Sequence, residues 1–285
     1  MKGIALVTDS TCDCARQELL ACDVTIMPLH VAVGDTAYLD GVDIDAATFY
    51  ARFAEAGQSA RSSQPSVGEF VETYERLLQR YDSVVSVHLS ARLSGTVESA
   101  TLAAKNVDPR RIRCVDSRQV SVGLGLVVQT TAEGIAAGLY LDSVVAAAET
   151  AGRNTRVWGV TPSLEVAVNG GRVSPRVAHL AETVELKPII AFDEEGAAHV
   201  DGARLGLHRA LRAIVGKAVH HAAGYRVRVA IAHADGREAA YYVWERLSHL
   251  LRQTGIPILQ AGAVITSHVG LGTVAVAVQR EGGPS

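Results

Sequence analysis

The chain has 285 residues, 48% of them hydrophobic and 20% charged, enough for two α/β domains or one large domain with a full core. A formal net charge of −3 leaves no basic surplus for nucleic acid, and membrane contact is expected to be transient at most. No apolar run reaches the roughly 18 residues that would suggest a membrane span.

The four cysteines are Cys12, Cys14, Cys22 and Cys114, and no Cys/His pair at zinc spacing accompanies the C-x-C pair. Reduced thiols, no metal and a cytoplasmic location are the expectation. The opening Met1–Val7 resembles a short signal peptide, but its apolar run meets Thr8-Asp9-Ser10 at once, which predicts a first strand over Ile4–Val7. Asp9-Ser10-Thr11 would then cap a short helix. Val24–Val33 reads as a second strand, with Pro28 at an edge or bend. Asp45–Ala56 reads as a helix, and Ser66-Val67-Gly68-Glu69 is a capping-box pattern before another that runs to about Arg80.

Further along, Val84–His88 and Ile112–Asp116 are compact strands. Ser94-Gly95-Thr96 opens the helix between them, and an apolar helix over about Val120–Gly138 follows. This strand–loop–helix alternation predicts a mainly parallel twisted sheet. After a helix over Ser143–Gly152 the texture changes, and a domain boundary is expected near residue 152, giving an N-terminal α/β domain (1–152) and a mixed C-terminal one (153–285). In the second half the predicted strands are Arg156–Val160, Lys187–Phe192 with Ala197–Val200 as a hairpin, Val227–His233, Pro257–Ile265 and Thr273–Val278. Helices are predicted from Thr161-Pro162-Ser163 to the Gly170-Gly171 turn, over Gly206–Ala222 and over Gly236–Arg252.

Three hydroxyl-rich loops precede helices: Thr8–Thr11, Ser62-Ser63-Gln64-Pro65-Ser66 and Ser90–Thr96. In an open parallel sheet such loops gather at the carboxyl ends of the strands, where ligands bind, and helix N-termini there suit a carboxylate or phosphate. Ser, Thr and Asp are also the default helix caps, so each loop taken alone is more often just a cap. His88 reads as a core residue, and His220-His221 as a helix C-terminus that suits the dipole.

At these positions the sequence resembles the DegV family, which includes the lipid-binding subunits of bacterial fatty acid kinases. The resemblance covers essentially the whole chain. It runs through Thr8–Thr11, Pro28-Leu29, Tyr38 with Asp40, Ser63–Ser66 with Glu69-Phe70, and Leu93–Thr96. It continues through Asp116-Ser117, Gly170-Gly171-Arg172, Lys187-Pro188-Ile189, Arg204 and Ser267–Gly272.

The resemblance implies a two-domain α/β protein holding a long-chain fatty acid between its domains, with no cofactor and no catalytic group of its own. A separate ATP-dependent kinase subunit would phosphorylate the carboxylate. Carried over by position, Ser62 stands for a family threonine that bonds the carboxylate, Ser94 and the Gly95 amide match the central carboxylate site, and His268 matches a C-terminal histidine. Arg172 and Arg204 become candidate contacts for the partner or the transferred phosphate. Ser62, Asn169, Leu205, Val269 and Leu271 each replace a residue more usual in the family.

Two rival readings accompany this one. Ser94, His268 and an acid such as Asp116 could form a hydrolase triad, although Arg92–Thr96 lacks the glycines of a nucleophile elbow. The same pocket could instead serve a small-molecule sensor. No phosphate-binding P-loop or dinucleotide fingerprint occurs in the chain.

Overall fold

The computed structural model describes residues 3–15, 22–162, 165–169, 171–172 and 186–282. The short helix expected from the Asp9-Ser10-Thr11 caps does not begin within residues 12–15, and residues 16–21 lie outside the described ones. The first sheet contains β1 (Ile4–Asp9), β2 (Thr25–Met27), β6 (Ser83–His88) and β7 (Ile112–Asp116). They lie in the order β2-β1-β6-β7 and every pair is parallel. These short Val- and Ile-rich runs are buried on both faces, as a parallel sheet between helices requires.

The chain leaves β1 toward β2 on one side, while β6 lies on the other. The loops after β1 and β6 therefore diverge and open a crevice at the carboxyl ends of these strands.

Helices α2 (Val67–Leu78), α3 (Thr96–Val107), α4 (Val122–Ala136) and α5 (Leu141–Asn154) cover this sheet. The Ser66–Glu69 capping box forms as the sequence predicts, with Ser66 Oγ accepting from Glu69 N and the Glu69 carboxylate accepting from Ser66 N. Helix α4 is apolar nearly all round because both its faces are buried. Leu124, Val127 and Val128 meet the first sheet's core, and Val122 and Leu126 meet Val157 and Ala230 of a second sheet.

That second sheet is mixed, with six strands in the order β10-β9-β8-β13-β11-β12. They are β8 (Thr155–Val160), β9 (Leu186–Phe192), β10 (Ala198–Leu205), β11 (Arg226–His233), β12 (Ile258–Gln260) and β13 (Val274–Glu281). Helices α7 (Leu207–Ala222) and α8 (Arg237–Leu251) bury one of its faces. Two further helices, α6 (Glu165–Asn169) and α9 (Ala263–Val269), are short.

Three features differ from the sequence expectation. Val24–Val33 divides at Pro28-Leu29, and its second half becomes β3 (His30–Val33) of a small antiparallel sheet with β4 (Thr36–Leu39) and β5 (Arg61–Ser63). Proline cannot donate to a ladder, so the chain changes sheets there. Pro257–Ile265 gives only the three-residue β12 before turning into α9, which places His268 in a helix rather than near the end of a strand. His221 is half-buried against Trp158, and burial pushes its imidazole down to about 4, so it is neutral at pH 7 rather than a charged partner of the helix dipole.

The small sheet, α9 and α1 (Ala46–Glu55) share one core, with Phe49 and Phe53 stacked at 5.1 Å beside Val31, Ala263 and Val264. The Tyr50 hydroxyl of α1 donates to Ala261 O at 2.6 Å, tying α1 to the start of α9.

Candidate ligand-binding site

A cavity of about 270 Å³ lies between the crevice of the first sheet, the small sheet and the face of the second sheet that α7 and α8 leave uncovered. Alternation along β8 aims Val157, Gly159 and Thr161 into it, and Ile190 and Phe192 follow from β9. Leu89, Leu93 and Val120 close it from the first sheet's loops. The far end is thus apolar.

The other end is polar and mostly uncharged. Ser62 Oγ, from β5, lies 2.7 Å from His268 Nε2 in a hydrogen bond, and both residues line the cavity. Burial, and then the charge of Arg172, push the His268 imidazole down to about 4, so the ring is neutral at pH 7. Its Nδ1 is buried and has no protein hydrogen-bond partner. The Ser94 hydroxyl also lines the cavity, bonded to Thr96 Oγ1 at 2.8 Å, and Thr96 N donates to Ser94 Oγ at 3.3 Å. Arg172 is exposed at this end, its Nε donating to Leu93 O at 3.3 Å.

Three buried carboxylates brace this arrangement. Asp9 ties the crevice together: one oxygen accepts from Leu89 N and faces His88 Nδ1, each at 3.0 Å, and the other accepts from Thr11 N and its hydroxyl. His88 in turn bonds Ser86 Oγ at 2.7 Å. The chain Ser86–His88–Asp9 has the connectivity of a catalytic triad, but Ser86 is fully buried and its Oγ accepts from Tyr74.

Asp13 Oδ1 accepts from Gly262 N at 2.9 Å, and Asp40 Oδ1 from Ala263 N at 3.0 Å, so two acids hold the N-terminus of the helix that carries His268. Asp13 Oδ2 also accepts from Ser121 Oγ, another cavity-lining hydroxyl. Burial drives Asp13 up to about 7 and Asp40 up to about 6, against the pull of these hydrogen bonds.

The cavity therefore gathers Ser62, Ser94, His268 and Arg172 of the sequence-derived candidates. Gly95 does not line it: Gly95 is the N-cap of α3, lying under the Gln64 side chain, and a Cβ there would fall 2.4 Å from Gln64 Nε2. Arg204 sits exposed on β10, away from the cavity wall, with its guanidinium donating to Ala203 O. Asp116 caps a turn through Ala91 N and Arg118 N. Thr11, from the first of the hydroxyl-rich loops, lines the cavity as well, whereas sequence reasoning missed Ser121 and Thr161 as lining residues and Asp13 as a brace. Ser121 adopts φ 55°, a conformation uncommon outside glycine, and nothing in its neighbours forecasts it.

Fold and site together define an α/β protein built around an internal apolar cavity with a neutral, hydroxyl-rich polar end. The model of the family described as "Uncharacterised protein, DegV family" matches residues 3–281. A DegV domain-containing protein of Deinococcus radiodurans is 33% identical over 280 residues, covering 97% of this chain and 98% of that protein. Among solved structures, a DegV family protein from Thermus thermophilus, described for its fatty acid binding, superposes with a TM-score of 0.91 at 30% identity. That match covers 98% of this chain and all of the other. DegV from Bacillus subtilis, described as a fatty acid binding protein, gives 0.88 at 28% identity over 98% and 99% of the two chains. The chain belongs to the DegV family.

Proposed function

We propose that this chain binds one long-chain fatty acid, with its tail in the apolar part of the cavity and its carboxylate at Ser62, Ser94 and His268. The observation that carries this reading is the pairing of an apolar chamber with a neutral Ser62–His268 end. Burying an acyl chain at about 0.8 kcal/mol per methylene supplies affinity from the tail, so the head group needs orientation rather than a strong ion pair. Fatty acid binding in the Thermus and Bacillus relatives supports the same ligand class.

The carboxylate is presented to a separate ATP-dependent kinase, which forms the acyl phosphate. Neutral hydroxyl donors leave its oxygens nucleophilic, and the exposed Arg172 at the same end is the contact for the partner or its phosphate. The exposed Arg204 and the Gly95 amide have less support, since neither lines the cavity. The chain contributes no catalytic group and no cofactor, divides into units of 1–152 and 153–285, and works in the cytoplasm. Among the described residues no helix is long and apolar enough to cross a membrane.

A hydrolase reading has less support. Ser94 and His268 share no hydrogen bond, and the Ser62–His268 pair lacks an acid on Nδ1 to orient the ring. Titration of the lipid-stripped chain with hexadecanoic acid and with its methyl ester tests the proposal. One-to-one binding that favours the acid is expected. Equal affinity for the two would remove the carboxylate from the Ser62–His268 end. With a kinase and ATP added, Ser94→Ala should slow acyl-phosphate formation, and an unchanged rate would refute the presenting role of that hydroxyl.

A further inference from the structure

The second sheet shows how far a tail can reach. The Thr161 hydroxyl donates to Val269 O at 2.7 Å, next to His268, so the position just past the end of β8 marks the polar end of the cavity. Following the cavity-facing positions back along β8 leads through Gly159 to Val157, roughly 13 Å away at about 3.3 Å per residue. Gly159 stands in cross-strand register with Ala275 of β13, which is itself in register with Ala232 of β11. All three line the cavity, so β8, β13 and β11 carry no side chain larger than a methyl in this row, and Ile190 of β9, in register with Gly159 on its other side, is the large side chain beside them.

Gly159 is not needed for its backbone, since its φ lies outside the positive range that favours glycine. Glycine weakens a strand, so its place there calls for a steric reason. A Cβ on residue 159 would lie 3.6 Å from Ala275 Cβ and 3.7 Å from Val274 O, both ordinary contacts, and would meet nothing else within 4 Å. A side chain at 159 would therefore be tolerated by the sheet and would occupy the cavity.

Two residues further on, Val157 is 4% exposed and packs with Val122 and Leu126 of α4. It is backed by Gly123, where a Cβ would sit 2.5 Å from Val157 Cγ2, so the helix glycine is what lets Val157 lie back from the cavity.

We infer that Gly159 and Val157 are the length gauge of this site: Gly159 keeps the passage open at mid-chain, and Val157, set back by Gly123, closes its far end. The inference rests on the fatty-acid reading and adds the residues that decide which acyl lengths fit. Each methylene excluded from the cavity lowers affinity about fourfold.

The full-length chain, stripped of lipid, is titrated with straight-chain acids from decanoic to octadecanoic, as wild type, Gly159→Val, Gly159→Ala and Val157→Ala. Thermal unfolding of each variant is recorded alongside. Gly159→Val is expected to weaken octadecanoic acid on the order of tenfold or more, and decanoic acid, which leaves fewer methylenes beyond residue 159, by a smaller factor. Gly159→Ala gives a smaller shift in the same direction and stands in if the valine variant does not fold. Val157→Ala moves the preference toward longer acids. Folded variants that keep the wild-type length profile would overturn the gauge and leave fatty acid binding intact. A wild type that binds no acid of any length would overturn both.

Discussion

Replacing Asp13 by Asn tests the brace beneath α9, and the outcome depends on pH in a direction the structure fixes. Burial drives this carboxyl from an ordinary 3.8 up to about 7. Between those values the folded chain holds a proton that the unfolded chain has released. The corresponding stability is fully present below about pH 3.8 and is lost as pH rises to about 7. Three pK units correspond to about 4 kcal/mol as an upper bound, and about 2 kcal/mol is a realistic share beside the coupled Asp40.

Asn keeps an oxygen to accept from Gly262 N and adds a donor toward Ser121 Oγ, so it imitates the protonated acid. Asp13→Asn is therefore expected to be about 2 kcal/mol more stable than wild type at pH 8, and close to neutral at pH 4. The comparison must be made between variant and wild type at each pH. The wild-type curve alone is blunted, because His221 and His268, each held down to about 4, become costlier to fold as pH falls through the same range. Urea unfolding at the two pH values provides the readout. A variant that is clearly less stable at pH 8 would refute the reasoning and make the ionised carboxylate a net anchor of the helix.

Three further substitutions follow. Gly123→Ala would bring its Cβ within 2.5 Å of Val157 Cγ2 and is expected to lose about 1 kcal/mol, overpacking outweighing helix propensity. Gly216→Ala, at an exposed position of α7 with nothing within 4 Å, should gain about 0.5–1 kcal/mol, and chemical denaturation of both variants checks the opposite signs. Ser62→Ala removes the partner of His268 Nε2 and should narrow the affinity difference between a fatty acid and its methyl ester about fivefold to tenfold, read by calorimetry.

The alternation of compact Val-rich strands with helices was legible in the sequence because buried parallel strands and amphipathic helices have distinct periods. The Ser66–Glu69 box was legible because its chemistry is local. The small sheet was not, since three- and four-residue strands such as Arg61–Ser63 are too short to carry a period. Ile258–Gln260 shows the same limit: an apolar stretch interrupted only by Gln260 and Gly262 does not reveal that the chain turns into α9 after three strand residues.

At the site, Ser62, Ser94 and His268 were named from family resemblance, and the fold brings Ser62 and His268 together across 206 positions of chain. Residues that serve the cavity only through distant partners, such as Asp13 through Gly262 and Gly123 through Val157, have no signature along the chain itself. Arg204 was legible as a residue type, but its strand places it on exposed surface.

The central claim is met most directly by denaturing freshly purified protein and identifying the released lipids by mass spectrometry, followed by reloading of the stripped chain. About one equivalent of a long-chain fatty acid per chain, recovered again after reloading, is the result the cavity predicts. A protein that releases no lipid and takes up no added fatty acid would contradict it.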